Sequence, residues 1–160
     1  MIKQSIDEWN RLILPLIPHE PPFRYLDEII EIDDSFVTGS YRFRSDEWFY
    51  KGHFPNNPVT PGVILIETMA QTALCAACIY SLAHEFNGDA RKISSFLPLL
   101  TDVDGEFLKP VVPGDKVVVK GEKVYWRRNK YKSKASLYLE NGELAASAVI
   151  SGLQADVTVG

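Results

Sequence analysis

Gly52-His53-Phe54-Pro55-Asn56-Asn57-Pro58-Val59-Thr60-Pro61-Gly62-Val63-Ile64-Leu65-Ile66-Glu67 leads a proline-stiffened loop into a long apolar segment. Pro55, Pro58 and Pro61 fix backbone angles and keep the residues before them out of the helical region, so the loop around His53 reads as stiff and extended. Thr60 is the expected N-cap and Pro61 the first helical residue. Residues 63–83 are apolar almost all the way round a helical wheel, which predicts a helix over 61–86, about 39 Å long, enclosed by protein. Glu67 is the only charged side chain in that run. Burial disfavours a bare carboxylate, so a protonated or proton-sharing carboxyl is expected there.

Working outward, Ser5-Ile6-Asp7-Glu8 has capping-box spacing and opens a short helix with Ile6, Trp9, Leu12 and Ile13 on one face, ended by Pro15 and Pro18. Residues 23–32 and 36–43 read as strands joined by the turn Asp33-Asp34-Ser35. After the long helix, which stops at Asn87-Gly88, strands are expected over 92–100, 104–109, 115–126, 130–140 and 143–153. Asn141-Gly142 is the strongest of the hairpin signals between them. Pro98 marks a bulge or an edge. With no alternation of strand and helix, the class is α+β: six or seven antiparallel strands curved around one long central helix, in a single domain over 1–160.

Composition narrows the function. The chain has 160 residues, 46% hydrophobic and 24% charged, with a net charge of -4. That balance argues against a nucleic-acid partner. The run 63–83 has the length of a membrane span, but Glu67, Gln71 and its many small residues favour a core helix over insertion. Cys75 and Cys78 have redox spacing but lie inside the helix, where small buried hydrophobes are the simpler reading. His19, His53 and His84 have no metal-ligand spacing, and no metal or cofactor is expected. The start of the chain lacks a basic-then-apolar signal pattern, so a cytoplasmic setting is expected. Trp48, Phe49 and Tyr50 either anchor the His53 loop or line an apolar pocket. Arg127, Arg128, Lys130, Lys132 and Lys134 read as a solvated hairpin tip and edge, with docking of an acidic partner as the alternative.

Residues 49–71, carrying the pattern GHFPxxPxxPGVxxxExxAQ, closely resemble the signature of hotdog-fold (3R)-3-hydroxyacyl-acyl-carrier-protein dehydratases. Leu16-Ile17-Pro18-His19 with Pro22-Phe23 resembles that family's approach to its first strand. Phe107-Leu108-Lys109-Pro110-Val111-Val112-Pro113-Gly114-Asp115 resembles a later strand and turn. The resemblance implies a hotdog fold and dehydration to a trans-2-enoyl thioester in fatty acid or related acyl-chain synthesis. His53 and Glu67 match its catalytic pair, and Glu rather than Asp places the chain in the branch that does not generally isomerise the double bond. Gly62 and Val63 match the thioester-binding backbone, with Gln71 and Phe54 as further substrate-binding candidates; Gln71, one helical turn after Glu67, is equally placed to hydrogen-bond the carboxyl or to be a buried amide satisfied by backbone. Acyl carrier protein is the implied partner. The implied assembly is a homodimer sharing each site between subunits, with a trimer of dimers as a larger form.

The chemistry asks for the same groups. A neutral, oriented His suits removal of the proton next to the thioester carbonyl. Glu67 can protonate the departing hydroxyl or hold the water that leaves. Free N–H groups at a helix N-terminus suit the charge that develops on the thioester oxygen, and Gly62 permits close approach. Glu20, Arg24 and residues 90–104 depart from the family pattern. A dehydratase dedicated to a polyene or polyketide-like product, a non-catalytic acyl-thioester-binding module and a hotdog thioesterase are the competing readings.

Overall fold

The computed structural model describes residues 3–156. Helix α1 (Ile6–Ile13) begins at the expected capping box: the Ser5 hydroxyl accepts from the Glu8 N–H while the Glu8 carboxylate accepts from the Ser5 N–H. Its buried side chains, Trp9 and Ile13, turn inward, and the Trp9 ring lies 4.6 Å from that of Tyr80. A 3-10 turn, Leu14–Leu16, follows at Pro15.

Strands β1 (Glu28–Ile32), β2 (Phe36–Arg42), β3 (Phe96–Phe107), β4 (Lys116–Arg127), β5 (Lys130–Leu139) and β6 (Leu144–Asp156) form one antiparallel sheet in the order β1-β2-β4-β5-β6-β3. Helix α2 (Gly62–Glu85) is the central helix, and β2, β4, β5 and β6 all touch its middle. The expected architecture is therefore present. Its most apolar window is 78% buried by the protein, as a core helix requires and a membrane span does not.

Several local expectations are corrected. Residues 23–27 stay outside β1, because the Tyr25 N–H donates to the Gln71 side chain instead of a strand neighbour. Thr60 does not cap α2. Its hydroxyl shares a 2.7 Å hydrogen bond with the Tyr50 hydroxyl, and Pro61 takes the N-cap position with the helix starting at Gly62. Residues 92–94 are not strand but part of α3 (Ala90–Ser94), whose N-cap Asp89 accepts from the Arg91 and Lys92 N–H groups. The two strands expected over 92–109 are one long strand, β3, with a register shift between Leu100 and Asp102. Pro98 lies on it at the sheet edge, where a missing donor is tolerated.

Between Gln71 and Ala76 the central helix widens into a π-helical turn. Glycines on three strands make room for it: a Cβ at Gly39 would meet Thr72 at 3.0 Å, at Gly121 Ala73 at 2.6 Å, and at Gly152 Leu74 at 2.5 Å. At Gly121 the approach is to the helix backbone itself, 2.9 Å from the Ala73 Cα, and at the other two it is to helix side chains. Cys75 and Cys78 are free and buried in this region, and burial pushes both thiols up.

The two sheet edges differ. Asn10 of α1 covers β1, donating to the Ile29 carbonyl and accepting from the Ile29 N–H, both at 2.7 Å. Along β3 most side chains are exposed, among them Leu99, Leu100, Val103 and Phe107. The basic cluster sits at the β4–β5 hairpin, where Arg128 and Asn129 take positive φ and Lys130 reaches Asp102 at 3.5 Å.

Candidate active site

The loop bearing His53 is held from both sides. Phe49 and Tyr50 are buried beneath it, packed on Phe43 and Tyr25, while exposed Trp48 donates its indole N–H to the Tyr25 hydroxyl at 3.1 Å. These aromatics anchor the loop, and none of them lines the cleft beside His53. Burial pushes the Tyr50 hydroxyl up to about 12, so it serves as a neutral hydrogen-bond partner for Thr60. The His53 N–H donates to the Phe49 carbonyl at 3.0 Å and the Val59 N–H to the His53 carbonyl at 2.9 Å. The His53–Phe54 peptide is cis, and the imidazole stacks on the half-exposed Phe54 ring at 4.1 Å between centroids.

One hydrogen bond fixes the chemistry of His53. Its Nδ1 lies 2.8 Å from the Val59 carbonyl oxygen, which can only accept, so the proton sits on Nδ1. In the neutral ring this leaves the Nε2 lone pair available as a base. His53, Thr60, Gly62, Leu65, Phe107 and Val111 border a cleft of about 430 Å³. The Thr60 N–H donates to the Val111 carbonyl at 2.8 Å and so ties the loop to the segment after β3.

The same cleft reaches the N-terminus of α2. The Pro61 carbonyl accepts from the N–H groups of Ile64 and Leu65, so those of Gly62 and Val63 precede the first intrahelical bond. Gly62 lies directly under the half-exposed Phe107 ring: a Cβ would meet it at 2.9 Å, so the ring would have to shift. Val63, the next residue, is 72% exposed.

Glu67 lies elsewhere in the protomer. It is absent from the border of the His53 cleft and sits against the segment before β1. Its Oε1 lies 3.2 Å from Nε2 of His19 and accepts from Nε2 of Gln71 at 2.9 Å. Burial raises this carboxyl, but the hydrogen bonds from His19 and Gln71 outweigh it and hold it below the usual carboxylate range. The expectation of a carboxyl kept protonated by burial alone is therefore corrected for the single chain. Gln71 is fully buried, its oxygen accepts from the Tyr25 N–H and its nitrogen donates to the Phe23 carbonyl as well as to Glu67, so it is both the hydrogen-bond partner of the carboxyl that its helical spacing allows and an amide satisfied by backbone.

In one protomer His53 and Gly62 border the same cleft, with Phe54 stacked on His53, while Glu67 does not border it and is held by Gln71 and His19. Sequence reasoning missed His19 as the partner of Glu67. The two lie 48 positions apart, and no local spacing rule connects them. It also missed the Phe107 ring over Gly62. Among the described residues no group of three or more His, Cys, Asp or Glu side chains is placed to hold a metal ion.

A profile described as the FabA-like domain matches residues 17–148. A protein of Methylobacterium sp. (strain 4-46), named 3-hydroxyacyl-[acyl-carrier-protein] dehydratase FabZ, is 38% identical over 142 residues, covering 88% of this chain and 82% of that protein. Its namesake from Sinorhizobium medicae (strain WSM419) is 39% identical over 142 residues, covering 88% and 86%. Among solved structures, the dehydratase heterocomplex ApeI:P from Xenorhabdus doucetiae matches with a TM-score of 0.70 at 16% identity, over 98% of this chain and 95% of that one. Zebra fish thioesterase superfamily member 2 matches with a TM-score of 0.62 at 10% identity, over 94% and 99%. At those identities the two structures speak for the shared hotdog fold alone.

Proposed function

The chain belongs to the FabA-like domain family, and from that membership we propose that it is a 3-hydroxyacyl-[acyl-carrier-protein] dehydratase of the Glu-bearing branch, acting in fatty acid biosynthesis. The observation that carries the reading is His53: a ring with its proton fixed on Nδ1 and its Nε2 lone pair free, in a cleft that also holds the unbonded start of α2.

In this reading the substrate thioester oxygen sits on the Gly62 and Val63 N–H groups, where the helix terminus favours the negative charge that grows as the α-proton leaves. Nε2 of His53 takes that proton. The electron pair of the C–H bond becomes the carbon–carbon double bond, the bond to the 3-hydroxyl breaks, and Glu67 protonates the departing oxygen to give water. Products are the trans-2-enoyl thioester and one water; His53 is left protonated and Glu67 ionised, and the site resets when the His53 proton passes through solvent to the Glu67 carboxylate. Phe54, stacked on His53 and exposed, is the proposed wall for the acyl chain beside the reacting carbons.

A homodimer completes the site in this proposal. Supporting it are the separation of Glu67 from the His53 cleft and the contrast between the covered β1 edge and the open, apolar β3 edge. An uncovered 12-residue edge strand is a template for pairing with a second copy. Covering Glu67, whose side chain is 19% exposed in one protomer, adds desolvation and moves its carboxyl upward, toward the protonated form that an acid needs. The proposed partner is acyl carrier protein and the proposed setting the cytoplasm, in keeping with two cysteines that remain free.

The test is direct. With carrier-linked (3R)-3-hydroxyacyl chains of graded length, enoyl absorbance in the far ultraviolet rises without release of free thiol. Thiol release at the rate of substrate loss indicates a thioesterase, and tight binding without either product indicates a non-catalytic module.

A further inference from the structure

We infer that His19 is a positioning residue for the catalytic acid: with Gln71 it occupies one oxygen of Glu67, Oε1, and thereby commits the other, Oε2, to the leaving hydroxyl. The inference rests on the dehydratase reading given above.

Both protein donors converge on the same atom. Nε2 of His19 reaches Oε1 at 3.2 Å and Nε2 of Gln71 reaches it at 2.9 Å, while Oε2 takes no hydrogen bond from the described residues. While Glu67 is ionised its oxygens only accept, so the proton of His19 then sits on Nε2. An oxygen that accepts from Gln71 and has Nε2 of His19 only 3.2 Å away is the poorer place for the acidic proton, so the neutral carboxyl carries its hydrogen on Oε2. The carboxyl is thus given a fixed orientation and a single working oxygen.

The segment before β1 is built to hold His19 there. Its ring stacks with Phe23 at 6.2 Å between centroids, the Phe23 N–H donates to the Glu20 carbonyl at 2.8 Å, and the Phe23 carbonyl accepts from Gln71. Tyr25 closes the network through its N–H to the Gln71 oxygen at 2.6 Å. Nδ1 of His19 is buried without a protein partner, so the ring is held through Nε2 and its stacking alone. The titratable groups facing Glu67 are His19 and Tyr25 from this segment and Cys75 from its own helix.

His19→Phe keeps a ring and removes the donor, whereas His19→Gln restores a non-titrating N–H close to the place of Nε2. On a carrier-linked 3-hydroxyacyl substrate, His19→Phe is expected to lose about ten- to a hundredfold in kcat with KM within about threefold of wild type, and His19→Gln to recover most of the loss. Removing a donor to the carboxylate destabilises its charged form and raises its pKa. Since an acid works only while protonated, the alkaline fall of kcat moves to higher pH in His19→Phe. Carbon-13 NMR titration of the Glu67 carboxyl reads the same upward shift without turnover. A His19→Phe enzyme within about twofold of wild type in kcat, or a Glu67 titration that does not move, overturns the inference. If the wild-type protein makes no enoyl product, the dehydratase reading fails, while the titration still decides whether His19 holds Oε1.

Discussion

His53→Ala and Glu67→Gln each lose dehydration by about a thousandfold or more, with the dimer and the melting temperature essentially kept. Removing a positioned base or acid typically costs about 10²- to 10⁴-fold. His53→Ala removes the imidazole that borders the cleft, and the backbone bonds to the Phe49 carbonyl and from the Val59 N–H that shape the loop remain. Glu67→Gln keeps the outline of the side chain and an oxygen that accepts from His19 and Gln71, yet it has no acidic proton to give. Initial rates of enoyl formation, taken beside sedimentation and thermal melting, check this. Near-normal turnover in either variant removes the assignment of roles.

The second large effect falls on the fold. Gly121→Val should lower the melting temperature by about 6–12 °C, from a loss on the order of 3 kcal/mol. A Cβ at position 121 stands 2.6 Å from the Ala73 Cβ and 2.9 Å from its Cα, so the obstacle is helix backbone, which cannot rotate aside. The π-helical turn must retreat from β4 as a unit. Gly52→Ala is the contrast, since nothing lies within 4 Å of its new methyl group and its melting temperature should barely change. Equal melting temperatures for Gly121→Val and wild type would show that helix and sheet are not pressed together at this point.

The central helix and the hairpins of the second half of the chain were readable because their signals are local. A long apolar run after three prolines permits little else, and Asn141-Gly142 sets a hairpin by backbone angle, with Gly142 at φ 87°. The capping box at Ser5 was readable for the same reason. What was not readable depends on neighbours distant in sequence. Strand β3 lies at the sheet edge with one partner, so its side chains follow no inside–outside alternation, and 104–107 looked separate from 96–100. Residues 92–94 became helical because Asp89 caps them, a side-chain choice that competes closely with extended structure. The π-helical turn has no sequence period of its own and shows only through the three glycines facing it.

The site divides along the same line. The motif marked His53, Gly62, Val63 and Glu67 as a set, and the loop geometry then assigned the proton of His53 to Nδ1. Gln71 was within reach of the carboxyl by helical spacing, but the contact from His19 was not readable, and in the single chain the two together outweigh burial and lower the Glu67 carboxyl. His19 arrives from a segment 48 residues away and Gln71 is shared with the backbone of Phe23 and Tyr25. Residue identity marked Glu67 as the candidate acid, and tertiary contacts decide how strongly it holds its proton.

The central claim, one elimination site made from two protomers, is tested most directly by complementation. Carry His53→Ala on one differently tagged copy and Glu67→Gln on the other, and purify the heterodimer through both tags. If each site joins His53 of one protomer to Glu67 of its partner, every heterodimer keeps one intact site, and dehydration returns to about half the wild-type rate per dimer while both mutant homodimers stay inactive. A verified heterodimer as inactive as its parents contradicts the shared site.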